Sequence, residues 1–209
     1  GDLDGALPFI DWLAEAGVGL WQVLPLVPTD DSGSPYSSWS ALSGNPDLVG
    51  LESCIEVGLL PPSARLETTN RVDYHVVRQE KRARVIEAAQ NLRNQPEHPW
   101  SQDLATFERH ATWAKDAALY YALKTSFNGA PWWEWPDAVR MAEPAALEAL
   151  REKHHATIAT WQTALFLFER QWSSLRSVAT GRGVRIVGDM PIYVGLDSVD
   201  VWLNQRLFL

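Results

Sequence analysis

The sequence predicts an α/β chain in which two short strands of parallel type are separated by a long, mostly helical insertion. Three observations lead there. Leu20-Trp21-Gln22-Val23-Leu24 is a nearly continuous apolar run, the pattern of a strand buried on both faces, and Val184-Arg185-Ile186-Val187 is a second short strand. Each follows a helical pattern and a glycine-bearing turn, at Gly17 and Gly19 in the first case and at Gly181 and Gly183 in the second. About 160 residues lie between them, far beyond what one crossover helix needs.

The elements follow in order. Residues 4–16 read as an amphipathic helix, with Leu7, Ile10, Trp12 and Leu13 on or beside one face and Pro8 near the first turn. Pro25 and Pro28 close the first strand. Residues 28–50 form a loop rich in Gly, Pro, Ser, Asn and Asp that also carries Tyr36 and Trp39. A loop this long in a compact domain is functional or disordered, and its aromatics argue for order. Residues 51–60 read as a short helix closed by Pro61-Pro62, and 65–73 as a connector. Helical spacing returns over 76–92, 104–126 and 143–160. Trp161, Leu165, Phe168, Trp172 and Leu175 then form a stripe that packs a further helix into the core. Asp189 directly follows the second strand. The chain divides as 1–50 (helix, strand and loop), 51–160 (mostly helical insertion) and 161–209 (helix, strand and strand-end segment).

Composition narrows the function classes. The net charge is −8 and no run of five or six Lys and Arg occurs, so neither a nucleic-acid backbone nor an anionic membrane surface is an expected partner. No apolar stretch approaches the roughly 18 residues of a membrane span. The single cysteine, Cys54, makes no internal disulfide, which points to a reducing, cytoplasmic setting. The chain opens at Gly1-Asp2 without a Met and closes without a polar tail, so both ends read as cut from something longer. The 11 Trp residues are either core material or platforms for sugar rings.

Metal and cofactor chemistry is not expected. His75, His98, His110, His154 and His155 lack i, i+4 spacing with a Glu partner, and no Cys-x-x-Cys or Gly-rich phosphate loop occurs. Cys54 sits in an apolar helix and reads as structural. Asp189 reads either as a turn residue before Pro191 or as an active-site carboxylate at a strand's C-terminal end. The 28–50 loop leaves the same end of the first strand, so Tyr36, Ser34 and Asn45 share that face. Tyr36 offers a flat ring with a hydroxyl and Ser34 a neutral hydrogen-bonding group, both suited to a sugar. Asn45 reads as a turn residue or a polar contact. Asp197 and Asp200 flank Ser198 and read as charge at a helix start. Trp132, Trp133 and Trp135 read as the core of the insertion before a sugar platform.

Several of these segments run together in a recognisable order. Trp21-Gln22-Val23-Leu24-Pro25-Leu26, Ser34-Pro35-Tyr36-Ser37-Ser38 and Gly44-Asn45-Pro46 come first, then Arg71-Val72-Asp73-Tyr74, the Pro131 to Pro136 segment and Arg170-Gln171-Trp172. Gly188-Asp189-Met190-Pro191-Ile192-Tyr193-Val194, Asp197-Ser198 and Val201-Trp202 complete the set. Together they resemble the 4-α-glucanotransferases, the amylomaltase or disproportionating-enzyme family, along essentially the whole chain. The resemblance implies part of a (β/α)8 TIM barrel of α-amylase type with helical insertions. It implies transfer of an α-1,4-glucan segment between maltooligosaccharides with retention, using a nucleophile and an acid/base about 5 Å apart and no metal or organic cofactor. It assigns substrate contacts to Tyr36, Asp189 and Ser34, with Tyr36 stacking at the donor subsite. The family's Arg-x-Asp-His-Phe-Arg-Gly and Glu-Asp-Leu-Gly motifs do not occur here, so no catalytic residue is expected in this chain and both are expected beyond Leu209. Asp30 and Asp31 stand where many relatives carry Gly and an aromatic, which should make this rim less adhesive to glucan. Two rival expectations remain: a non-catalytic glucan-binding truncated barrel, and a helical interaction scaffold.

Overall fold

The computed structural model describes residues 2–30, 33–67 and 71–208. Helix α1 (Leu3–Glu15) begins where Asp2 takes the N-cap and accepts the Gly5 N–H at 3.0 Å. Ile10 and Leu13 are buried, but Trp12, expected on or beside that face, is 59% exposed. At 3.6 residues per turn it stands roughly 200° around the axis from Ile10, and it stacks on Phe9 with ring centroids 5.6 Å apart. Pro8 lies in the second turn, not the first.

Strands β1 (Leu20–Gln22) and β2 (Arg185–Val187) pair in parallel, with Leu20 opposite Arg185, Trp21 opposite Ile186 and Gln22 opposite Val187. The strands are shorter than the apolar runs, and β1 is not buried on both faces. Leu20 and Leu24 stay more than half exposed, because among the described residues each strand has one partner. Only the central residues, Trp21 and Ile186, pack against the core.

Between the strands come α2 (Leu51–Glu56), α3 (Tyr74–Val76), α4 (Arg82–Arg93), α5 (Ser101–His110), α6 (Thr112–Ser126), α7 (Asp137–Arg140), α8 (Pro144–Lys153) and α9 (His155–Gly181). A wide π turn over Val77–Lys81 joins α3 to α4. The helix expected over 104–126 is two helices, parted at Ala111, whose φ of −84° and ψ of 74° leave the helical region. The helix expected over 143–160 ends at Lys153. The apolar stripe of α9 reaches back to buried Ile158, so this helix starts at His155 and the 160/161 division falls inside it.

Helix α9 is the spine against which α1, α4 and α6 pack. Leu165, Leu167, Phe168 and Leu175 from α9 are fully buried or nearly so, as are Val85 and Leu92 of α4 and Leu119 and Leu123 of α6. Two close approaches lock the first loop and α2 to this spine. A Cβ on Gly44 would stand 1.9 Å from the Phe168 ring. The buried Gln171 amide accepts the Gly50 N–H at 2.7 Å and donates to the Gly50 carbonyl at 3.0 Å. The tryptophans of the insertion divide: Trp132 and Trp135 are buried, Trp133 is 42% exposed. The last helix, α10 (Val199–Leu203), is capped by Ser198, whose Oγ accepts the Val201 N–H at 3.2 Å.

Candidate functional site

Parallel pairing brings the C-terminal ends of β1 and β2 to one edge. Val23 N–H donates to the Val187 carbonyl at 2.9 Å, and beyond it the two segments diverge as loops. Those loops are then laced together. Val199 N–H donates to the Trp39 carbonyl at 2.9 Å, and Ala41 N–H donates to Asp200 Oδ2 at 2.9 Å. Gly195 lies so close to Ser38 that a Cβ on it would come 2.7 Å from the Ser38 carbonyl oxygen.

At this edge the Tyr36 hydroxyl donates a hydrogen bond to Asp189 Oδ2. The two residues are 153 positions apart, both half-buried, and each on a different strand-end loop. The adjacent carboxylate holds the Tyr36 phenol above its ordinary range, chiefly through this hydrogen bond, with partial burial and the negative charge adding to it. The phenol therefore stays a donor at neutral pH. Asp189 Oδ1 has no hydrogen-bond partner among the described residues, so it is a ready acceptor for a ligand hydroxyl. Ser34 shapes the turn that presents the ring: its Oγ accepts the Tyr36 N–H at 3.3 Å.

The other polar candidates have structural partners. Asn45 is buried, donates its N–H to the Leu26 carbonyl at 2.9 Å, and caps the turn at Pro46–Leu48 by accepting the Asp47 N–H at 3.0 Å. Of its two readings, the turn residue is the one the geometry supports. Trp39 packs on Tyr121, ring centroids 5.9 Å apart. Asp200 ties a loop, as above. Asp197 is more than charge at a helix start: it accepts from Tyr120 Oη at 2.5 Å, from Trp132 N–H at 3.3 Å and from Lys124 Nζ at 2.6 Å. No sequence signal marks this, since its partners lie 65 to 77 residues away on other elements. At the rim, the Asp30 carbonyl accepts from Arg78 at 2.7 Å, while Asp31 lies outside the described residues. Met190, Ile192 and Tyr193, next to Asp189, are widely exposed.

Elsewhere, burial pushes the Cys54 thiol up to about 12, which leaves it protonated and inert. Among the described residues no group of three or more His, Cys, Asp or Glu could hold a metal, and no helix is long and apolar enough to cross a membrane. A cavity of about 600 Å³ between α1, α2, α5 and α9 and an apolar cleft of about 300 Å³ beside Phe9 and Trp21 do not include Tyr36 or Asp189.

A family model described as 4-alpha-glucanotransferase matches residues 1–209. Similar curated proteins include the chloroplastic/amyloplastic 4-alpha-glucanotransferase of Solanum tuberosum, 39% identical over 98% of this chain and 37% of that protein. The 4-alpha-glucanotransferase of a Synechocystis strain is 40% identical over 100% of this chain and 42% of its own length. Among solved structures, amylomaltase from Streptococcus agalactiae in complex with acarbose superposes with a TM-score of 0.90 at 32% identity, covering 97% of this chain and 42% of that one. The chain thus spans about two fifths of the length of the proteins it matches.

Proposed function

The chain belongs to the 4-alpha-glucanotransferase family, and from that premise we propose that it forms part of the glucan-binding wall of an enzyme that moves α-1,4-linked glucan segments between maltooligosaccharides. The observation that carries this is the Tyr36–Asp189 contact at the shared strand ends. A tyrosine ring gives a sugar an apolar face, and a carboxylate accepts from two adjacent hydroxyls. The bond between them fixes both before a ligand arrives, so little ordering is left to be done on binding. Ser34 is proposed as a third, peripheral contact, at the turn that presents the ring.

We assign the reaction itself to a retaining double displacement with a covalent glycosyl-enzyme, resolved by a sugar hydroxyl. Neither carboxylate motif expected for it occurs in the 209 residues, so the nucleophile and acid/base are proposed to lie outside this sequence. For these residues alone the expectation is binding without turnover. The scaffold proposed is two units of a (β/α)8 barrel of α-amylase type. It is supported by the parallel β1–β2 pair, the helix ahead of each strand, and the likeness to amylomaltase. A cytoplasmic location is proposed from the lone reduced cysteine, and the similar proteins include chloroplastic forms.

Calorimetric titration with maltotriose tests the reading. Binding is expected, and Tyr36→Ala and Asp189→Ala should each weaken it roughly tenfold or more. In an enzyme that holds both catalytic carboxylates, each change should cost about 3–4 kcal/mol in kcat/KM for disproportionation. Unchanged affinity in both variants would remove the site.

A further inference from the structure

Building on the reading of Tyr36 and Asp189 as a glucan-binding pair, we infer that Lys124 and Asp197 are positioning residues for it. They form an ion pair, buried at the lysine and half-buried at the aspartate, that holds both strand-end loops against the helical insertion. Lys124 lies in the last turn of α6 with its side chain 4% exposed. Its ammonium has three donors and meets three acceptors: Asp197 Oδ2 at 2.6 Å, the Gly129 carbonyl at 2.7 Å and the Ala130 carbonyl at 3.1 Å. It also stands 5.2 Å from the centroid of the Trp39 ring, within cation–π reach. Trp39 is three residues beyond Tyr36 on the first loop, and Asp197 closes the loop that carries Asp189. One ammonium therefore touches both loops from behind.

The second loop has few other tethers. Among the described residues, 188–196 is hydrogen-bonded to the rest of the chain only through Tyr36–Asp189 and through Trp132 Nε1, which donates to the Leu196 carbonyl at 2.7 Å. Met190, Ile192, Tyr193 and Leu196 are all more than 60% exposed, so packing fixes this segment only near its far end, where Val194 meets the core and Gly195 lies against Ser38. Its course rests on the anchor at its end, where Asp197 gathers Lys124, Tyr120 and the Trp132 N–H. A buried ion pair adds little net stability over apolar side chains of the same volume, because desolvation offsets the attraction. Its directional hydrogen bonds do set where a chain runs.

Asp197→Asn is the mild break. The amide oxygen still accepts from Tyr120, and Lys124 keeps two carbonyls and the Trp39 ring. The readout is the Tyr36 phenol titration, followed by NMR on tyrosine-labelled protein and assigned with Tyr36→Phe, alongside maltotriose affinity and Tm. In the wild type the phenol should titrate above the ordinary tyrosine range. Asp197→Asn and Lys124→Met should bring it down toward that range and weaken maltotriose binding roughly tenfold. Lys124→Arg, which restores the charge, should recover much of both. Lys81→Met removes a different half-buried pair, with Asp2 at 2.7 Å, and should lower Tm while leaving the Tyr36 titration and the affinity unchanged. A Tyr36 titration that stays put in folded Asp197→Asn and Lys124→Met overturns the inference, as does an ordinary value in the wild type. If either variant does not fold, Asp197→Glu, which keeps the charge and shifts the carboxylate by one methylene, decides on the same readout. A wild type that shows the raised phenol but no maltotriose binding sinks the glucan reading and leaves the positioning intact.

Discussion

Tyr36 and Asp189 show what one hydrogen bond between distant residues does for two side chains. The phenol gains a fixed direction, and the carboxylate keeps one oxygen for a ligand. Tyr36→Phe isolates the hydroxyl: it should weaken maltotriose binding several-fold, less than Tyr36→Ala, because the ring remains. That the two residues share one end of the strand pair was legible from their place after the strands. Asp197 was not, because nothing near it in sequence announces Tyr120, Lys124 or Trp132. Cys54 gives a pH prediction. Its folded-state thiol sits above its ordinary value of 9.0, at about 12. The folded state therefore holds the proton more tightly, so the stabilisation is complete below pH 9 and is lost as pH rises from there through the raised value. The urea midpoint should fall across that window, and Cys54→Ala should flatten part of the fall. At pH 8 a thiol-specific disulfide reagent should react with Cys54 only as fast as the protein opens.

The elements were legible where periodicity and packing agree. The stripe on α9 marks its buried face and the Asp197–Asp200 segment marks a helix start, whereas the Asp2 cap, one residue before Leu3, was not read. The breaks at Ala111 and His154 were invisible, since neither is a glycine or a proline, the residues that punctuate a helix in sequence. β1 misled for a related reason: an apolar run gives strand type but not the number of neighbours that will cover it. Two element-level joints can be tested by denaturant unfolding. Gln171→Ala leaves the Gly50 N–H and carbonyl buried without a partner, and should cost about 2–4 kcal/mol. Gly195→Ala forces a methyl toward the Ser38 carbonyl, and should cost about 1–3 kcal/mol while spreading the two loops and weakening maltotriose binding.

Across the whole molecule, apolar surface is distributed unevenly. The core side chains of the helical body are buried, whereas Leu24, Met190, Ile192, Tyr193 and Leu196 leave the C-terminal strand end and its loops apolar and open. Apolar surface gathered at one end, beside a strand pair whose outer edges have no partner among the described residues, favours association. These 209 residues should bind a hydrophobic dye and show a mass that rises with concentration in light scattering. Replacing Ile192 and Leu196 with Ser should reduce both effects without lowering Tm. The α/β class and the parallel pair were legible in outline, and the extent of this open face was not.

The parallel pair also sets a clock. Leu20 meets Arg185, and 185 − 20 = 165 residues must be closed into one loop before the first rung forms. Closing so long a loop costs about 4–5 kcal/mol of chain entropy, while the contacts among α4, α6 and α9 join stretches nearer in sequence. During synthesis at about 5–20 residues per second, β1 spends roughly 10–30 s outside the ribosome before its partner is made. Helix α9, the spine of the helical body, ends at Gly181, just before β2 begins at Arg185, so most of that interval passes before the body itself can pack, and the sheet with the two loops it aligns comes into register only once both are made.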